Sequence, residues 1–290
     1  MKRSTFLKKT AALSLLPIAM QLNEFHRLSE GLDHTDLMPV LFVGHGNPMN
    51  AVTDNPYRKS WMEWGRQLPR PKAILCISAH WLTRGTAVTM TAKPETINDF
   101  GGFPNELYQQ QYPAPGAVDY AKMTIEQVKS AAVHEDFEWG LDHGAWCVLQ
   151  SMYPKADIPV YQLSLDATKG PAYHFQLAKE LAFLRRKGVL IVASGNVVHN
   201  LRMMRWEGGT YDWAVSFDNL VRENIEKDNP TALVEYEKLG NLARMAHPSN
   251  DHYLPLLYAL GLRQKGESYR FFNDNFDLGS VSMRSVAFGV

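Results

Sequence analysis

The chain has 290 residues, with 30 Lys and Arg against 30 Asp and Glu, so its formal net charge is zero, and 45% of it is apolar. That balance excludes a disordered chain and removes the basic footprint that a nucleic-acid partner needs. Ten His against two Cys exclude a disulfide framework and a thiolate zinc finger, so imidazole would dominate any metal site here.

In chain order, residues 1–20 (MKRSTFLKKTAALSLLPIAM) place Lys2, Arg3, Lys8 and Lys9 ahead of an apolar run from Ala11 to Met20. This is the shape of a secretory signal. The run Arg3-Ser4-Thr5-Phe6-Leu7-Lys8 resembles a twin-arginine export signal with Ser in place of the second Arg. The alternative is an amphipathic helix at the N-terminus. The apolar run is about half the length that spans a bilayer, and no later stretch is longer, so no integral membrane span is expected. Residues 1–35 are therefore set apart as a signal-like segment, and residues 36–290 are read as one catalytic domain.

Within that domain, Pro39–Val43, Ala73–Ser78, Ile158–Leu165 and Val189–Ala193 are short apolar runs closed by turn residues. Such runs suit strands buried on both faces. Between them, Ala172–Lys187 carries apolar residues at the helical period and ends in Arg185, Arg186, Lys187 and then Gly188, a helix stop. Val118–Ala132, Trp213–Asn224 and Leu254–Leu262 are further helices. Strand and helix in alternation predict an α/β fold: a single three-layer domain whose central mixed, largely parallel sheet is flanked by helices. Thr91–Gly116 is rich in Gly, Pro and polar residues and is read as a long loop forming a pocket wall.

The histidines carry the functional signal. His45 follows the first strand, His80 the second and His199 the fourth. Ligands of open α/β sheets bind beyond the carboxyl ends of the strands, so these three imidazoles should meet in one crevice. His143 lies between Asp142 and Gly144, and His252 in a loop entering an apolar helix. His247 either lines the same pocket or packs beside Pro248. His26, His34, His134 and His174 read as ordinary. Cys76 lies inside a strand, and Cys147 has no protease-like surroundings. No G-x-S-x-G, P-loop or G-x-G-x-x-G motif occurs. A histidine cluster without thiolates suits Zn(II) or non-haem Fe(II). A carboxylate ligand remains open between Asp142 and Asp251.

The segments GHGNPMN, ISAHW, NDFGGFP, YPAPG, GLDHGAW, ASGNVVHNL and DHYLPLL, in this order, resemble the class III extradiol ring-cleavage dioxygenases, and within them the 4,5-DOPA extradiol dioxygenase branch. The resemblance covers residues 38–290. It implies one divalent metal per chain, Zn(II) or Fe(II), held by His45, His80 and His252, with His199 a further ligand or the acid/base. It implies that His143 contacts substrate or oxygen, so His143 and His199 are the catalytic candidates. The implied reaction opens the ring of a small aromatic diol, a catechol such as DOPA, with O2. Trp81, Phe100, Phe103 and Trp146 offer flat walls for such a ring. The HPSNDH stretch departs from the pattern, in which a Pro-Glu pair often precedes the His. The resemblance implies a cytoplasmic location, whereas the N-terminus suggests export to the periplasm. Two other readings of the same cluster are a zinc hydrolase and a catalytically silent metal-binding protein. The oligomeric state is not legible.

Overall fold

Apolar runs closed by turn residues become one sheet in the computed structural model, which describes residues 36–290. Its strands are β1 (Val40–Gly44), β2 (Ala73–Ser78), β3 (Val160–Gln162), β4 (Val189–Gly195), β5 (Tyr269–Phe272) and β6 (Ser285–Phe288). The order across the sheet is β3-β2-β4-β1-β6-β5. The first four run parallel. Strands β6 and β5 add antiparallel to β1 and to each other. Every residue of β1, β2 and β4 is buried, which requires cover on both faces.

Six helices matter for the site: α1 (Pro56–Gln67), α2 (Val118–Gln127), α3 (His143–Met152), α4 (Pro171–Glu180), α5 (Asp212–Glu226) and α6 (Leu254–Leu262). Helices α1 and α3 pack together on one face, where Trp61, Trp64, Trp146 and Leu149 share a core with Leu41, Val43, Ile74 and Val192. Helix α6 lies against β4 and β1 with α4 outside it. Eight of the nine residues of α6 are buried, the composition of a helix enclosed on all sides.

The single α/β domain with a mixed, largely parallel sheet is as expected, and α6 has its expected bounds. Other elements differ. The 158–165 run is not one strand: Leu163 bonds back to the Cys76 carbonyl, and Leu165–Asp166 then leaves the sheet to pair with Leu82–Thr83. The 172–187 helix breaks after Glu180 and resumes as Phe183–Arg186. The 118–132 helix stops at Gln127, and Val133–Asp136 is a strand, not foreseen, that pairs with Thr86–Thr89. Helix α1 was not expected, because PYRKSWMEWGRQ is polar apart from the few apolar side chains it buries. It starts at Pro56 behind Asn55, whose side chain accepts from Arg58 N at 2.8 Å. Among the described residues no helix is long and apolar enough to cross a membrane. The signal-like segment lies outside the described residues.

Candidate metal centre

Parallel register sets the site. Strand β4 lies between β1 and β2, with Gly44 beside Gly195 and Ser78 beside Ser194, so the three carboxyl ends are level. His45 follows β1 directly and bonds through its backbone N–H to the Gly195 carbonyl at 3.2 Å. His80 lies two residues beyond β2 and His199 four beyond β4. His143 opens α3, where Asp142 caps the helix by accepting from Ala145 N at 3.1 Å. His252 arrives on the turn before α6.

These five imidazoles come together. Ring centroids of His45 lie 5.0, 5.5 and 5.2 Å from those of His80, His143 and His252. His80 is 3.8 Å from His143 and 4.9 Å from His252. His199 stacks on His252 at 3.5 Å with planes 4° apart. Ligand-capable atoms of His45, His80 and His143 lie within 4.8 Å of one another, and so do those of His199, Asp251 and His252. All the predicted site residues therefore share one cluster.

Hydrogen bonds fix which nitrogen each ring offers. Ser194 Oγ gives its only proton to the Gly144 carbonyl at 2.6 Å. It can then only accept from His45 Nδ1, 3.0 Å away, so His45 carries its proton on Nδ1 and its Nε2 is bare. Asp99 does the same for two further rings. Its Oδ1 accepts from both the backbone N–H and Nδ1 of His143, each at 2.9 Å. Its Oδ2 lies 3.2 Å from His80 Nδ1. Asp251 accepts from His252 Nδ1. The bare Nε2 atoms of His45 and His80 consequently face each other at 3.1 Å.

Backbone proximity completes the arrangement. A Cβ on Gly195 would lie 2.3 Å from the His252 carbonyl oxygen, and one on Gly144 would lie 2.4 Å from Ser78 Oγ. Only glycine lets the His252 turn and the start of α3 approach the strand ends this closely. Phe100 sets its ring edge-on to His143 at 5.6 Å, backed by Phe103, Tyr108 and Trp146. Of the four expected wall residues, Phe100 alone stands against these rings. Trp146 is fully buried behind it, with Nε1 donating to the Ile97 carbonyl, and Trp81 stacks on Trp139.

Burial, then the nearby imidazoles, hold His45 and His252 well below the usual histidine value. Burial and His143 lower His80 to about 3 against the pull of Asp99, and burial lowers His199 to about 4. Burial alone would raise the Asp99 carboxyl, but its hydrogen bond and proximity to His143, and the His80 ring, hold it down. The rings of His45, His80, His199 and His252 are thus neutral at pH 7, with Asp99 behind His80 and Asp251 behind His252. Neutral imidazoles whose Nδ1–H groups are anchored and whose Nε2 lone pairs converge are the donor set of a divalent cation. Two such lone pairs at 3.1 Å repel unless a cation lies between them. The residues fit a metal.

Asp142 is not available as a ligand. Its oxygens are taken by Ser78 Oγ at 2.6 Å, Gln162 Nε2 at 2.7 Å and the helix cap. Burial and the nearby Asp99 raise its carboxyl against those hydrogen bonds. Asp99 and Ser194 are the residues that sequence reasoning missed. Asp99 sits in the loop read as a pocket wall, which was the available signal. Among the other histidines, His134 is exposed and His174 is buried against Tyr258. His26 and His34 lie outside the described residues.

Residues 39–289 match the family model for the catalytic LigB subunit of aromatic ring-opening dioxygenase. The chain is 48% identical over 260 residues to the 4,5-DOPA dioxygenase extradiol of Escherichia coli (strain K12), covering 87% of this chain and 95% of that protein. It is 35% identical over 260 residues to the protein of the same name from Beta vulgaris, covering 87% and 97%. The crystal structure of an uncharacterized Escherichia coli K12 protein superposes with a TM-score of 0.76 at 44% identity, covering 87% of this chain and 100% of that one.

Proposed function

Since the chain belongs to the family of the catalytic LigB subunit of aromatic ring-opening dioxygenases, we propose a division of labour among its five clustered histidines. The protein is a metal-dependent extradiol dioxygenase that opens an aromatic ring with O2. The finer reading assigns one divalent ion per chain, Fe(II) in the turning-over enzyme, to His45, His80 and His252. The observation that carries it is the pair of bare Nε2 atoms of His45 and His80, 3.1 Å apart with both Nδ1 atoms anchored. Catechols with an amino-acid side chain, DOPA among them, are the proposed substrates, following the names of the relatives.

A divalent ion held by His45, His80 and His252 would supply Lewis acidity to a catechol's oxygens and activate O2. The protein does the rest. His143, locked on Asp99 through Nδ1, turns Nε2 toward the centre as a base for a substrate hydroxyl. Phe100 edge-on to it gives the substrate ring an apolar face and excludes water. His199 is held through its backbone and by stacking on His252, with no side-chain hydrogen bond among the described residues. That leaves its ring nitrogens to accept a proton from, or return one to, the reacting oxygens. In the net reaction the ring C–C bond next to the diol breaks and both atoms of O2 enter the product.

The test is anaerobic Fe(II) loading followed by oxygen-electrode and absorbance measurements over a panel of catechols including DOPA. One O2 consumed per catechol, with a new product chromophore, is expected. Catechol binding without O2 uptake would overturn the reading.

A further inference from the structure

We infer that His247 is a positioning residue, which aims His199 through the carbonyl of Val197. His247 ends the short helix Asn241–Ala246, and its ring is enclosed by Phe217, Tyr236 and Tyr253 with centroids 5.5, 6.1 and 5.0 Å away. Nε2 lies 2.7 Å from the Val197 carbonyl oxygen. A carbonyl only accepts, so His247 holds its proton on Nε2. Its Nδ1 is buried with no hydrogen-bond partner among the described residues, which leaves this one bond as the polar contact of the ring there.

The segment receiving that bond, residues 196–200, belongs to no helix or strand of the sheet. It is held from two sides: on one, Ser282 N–H donates to the Val198 carbonyl at 2.9 Å and Asn200 N–H to the Ser280 carbonyl at 3.1 Å; on the other lie His252 and residues 245–247. Asn196 N–H donates to the His252 carbonyl at 2.9 Å, and His199 N–H to the Ala246 carbonyl at 2.9 Å. Asn200 Nδ2 donates to the Met245 carbonyl at 2.7 Å. Residues 245–247 therefore grip the His199 segment at three points, and the His247 ring supplies the one nearest the strand end. Without it the Val197 carbonyl loses its partner, the hold of residues 245–247 is weakened against the opposing bonds to Ser280 and Ser282, and the His199 ring shifts within the centre. Its one polar contact is this peptide, and its ring also packs on Tyr253 beside His252, so a variant that keeps the ring isolates the effect of the bond.

The inference rests on the proposed acid/base role of His199, and His199→Ala is the control that tests that role separately. His247→Phe keeps a ring in the aromatic cage and removes the donor, whereas His247→Gln keeps an amide donor at the same reach. We expect His247→Phe to lower kcat for a catechol about 10- to 100-fold, with KM and metal stoichiometry unchanged, and His247→Gln to recover most of the loss. Long-range 1H–15N NMR of the metal-free wild-type protein should show His247 as the Nε2–H form, and that measurement stands even if a variant fails to fold. Wild-type kcat in His247→Phe, equal loss in both variants, or an Nδ1–H ring would overturn the inference. If His199→Ala itself retains full turnover, the fault lies in the role given to His199.

Discussion

Ser194→Ala tests the tautomer argument at the centre of the site. The side chain is fully buried, and its hydroxyl donates to the Gly144 carbonyl at 2.6 Å and accepts from His45 Nδ1 at 3.0 Å. Alanine leaves the His45 Nδ1–H buried without a partner, whereas the Gly144 carbonyl lies inside α3 and keeps the helical ladder. One such group costs about 1–3 kcal/mol, so the metal-free fold should lose about that much of the 5–15 kcal/mol typical of a domain. The second effect is specific. Once Nδ1 is unanchored, His45 is free to place its proton on Nε2, the atom offered to the metal. Loss of such an outer partner lowers metal affinity about 10- to 100-fold, or about 1.4–2.7 kcal/mol at 1.36 kcal/mol per decade. The assays are urea unfolding of the metal-free protein and competition for metal against a chromophoric chelator. Thr124→Val is the control, because it removes another buried hydroxyl, bonded to the Tyr120 carbonyl and Tyr161 hydroxyl between α2 and β3. It should cost stability and leave metal affinity alone. If Ser194→Ala binds metal within about twofold of wild type, or if Thr124→Val weakens metal equally, the reasoning fails.

His45→Ala and His80→Ala should each abolish stoichiometric metal by elemental analysis, and His143→Ala should keep the metal and lose O2 uptake. Metal retained in either ligand variant would refute the ligand set. Asp99→Asn replaces the acceptor shared by His80 and His143 with an amide that can serve only one of them as before. It should lower kcat about 10- to 100-fold, read by O2 uptake at saturating metal, and a wild-type rate would sink that role. His174, buried against Tyr258, is pushed down to about 4 by burial. Below pH 6.5 the unfolded chain takes up a proton that the fold refuses, so stability falls as pH drops from about 6.5 to about 4, by up to about 3 kcal/mol. His174→Gln should flatten urea-unfolding free energy across that window by about one proton's slope, and an unchanged slope would refute the account.

The strand-end placement of His45, His80 and His199 was legible because short apolar runs mark buried parallel strands and ligands gather beyond their carboxyl ends. His252 and His143 owed their selection to local glycine and proline context and to the collinear motifs. Asp99 was not legible as a site residue, since its importance depends on which oxygen meets which ring across the fold. Ser194 was hidden for a similar reason: inside a strand, a serine gives no sign that its proton is committed to Gly144. Helix α3, a nearly continuous apolar run at His143–Met152, lacks the two-sided pattern from which a helix is read. Strands β5 and β6, which make the sheet mixed, take their place from the pairing of β6 with β1 and of β5 with β6, a long-range fact.

The histidines reach the centre on supports of unequal stiffness. His45 and His80 follow strands whose every residue is buried, and His143 starts a buried helix. His252 rides on a turn joined to the end of β4 by the bond from Asn196 N–H. The sheet is a fixed jaw and that turn a hinged one. An ion leaving the site has its easiest exit where the turn lifts, through a local opening that leaves the sheet intact. Exchange of bound metal into a chelator would then run far faster than global unfolding, and substitutions that stabilise the sheet would scarcely slow it. Changes in the 249–253 turn would set how long the enzyme keeps its metal.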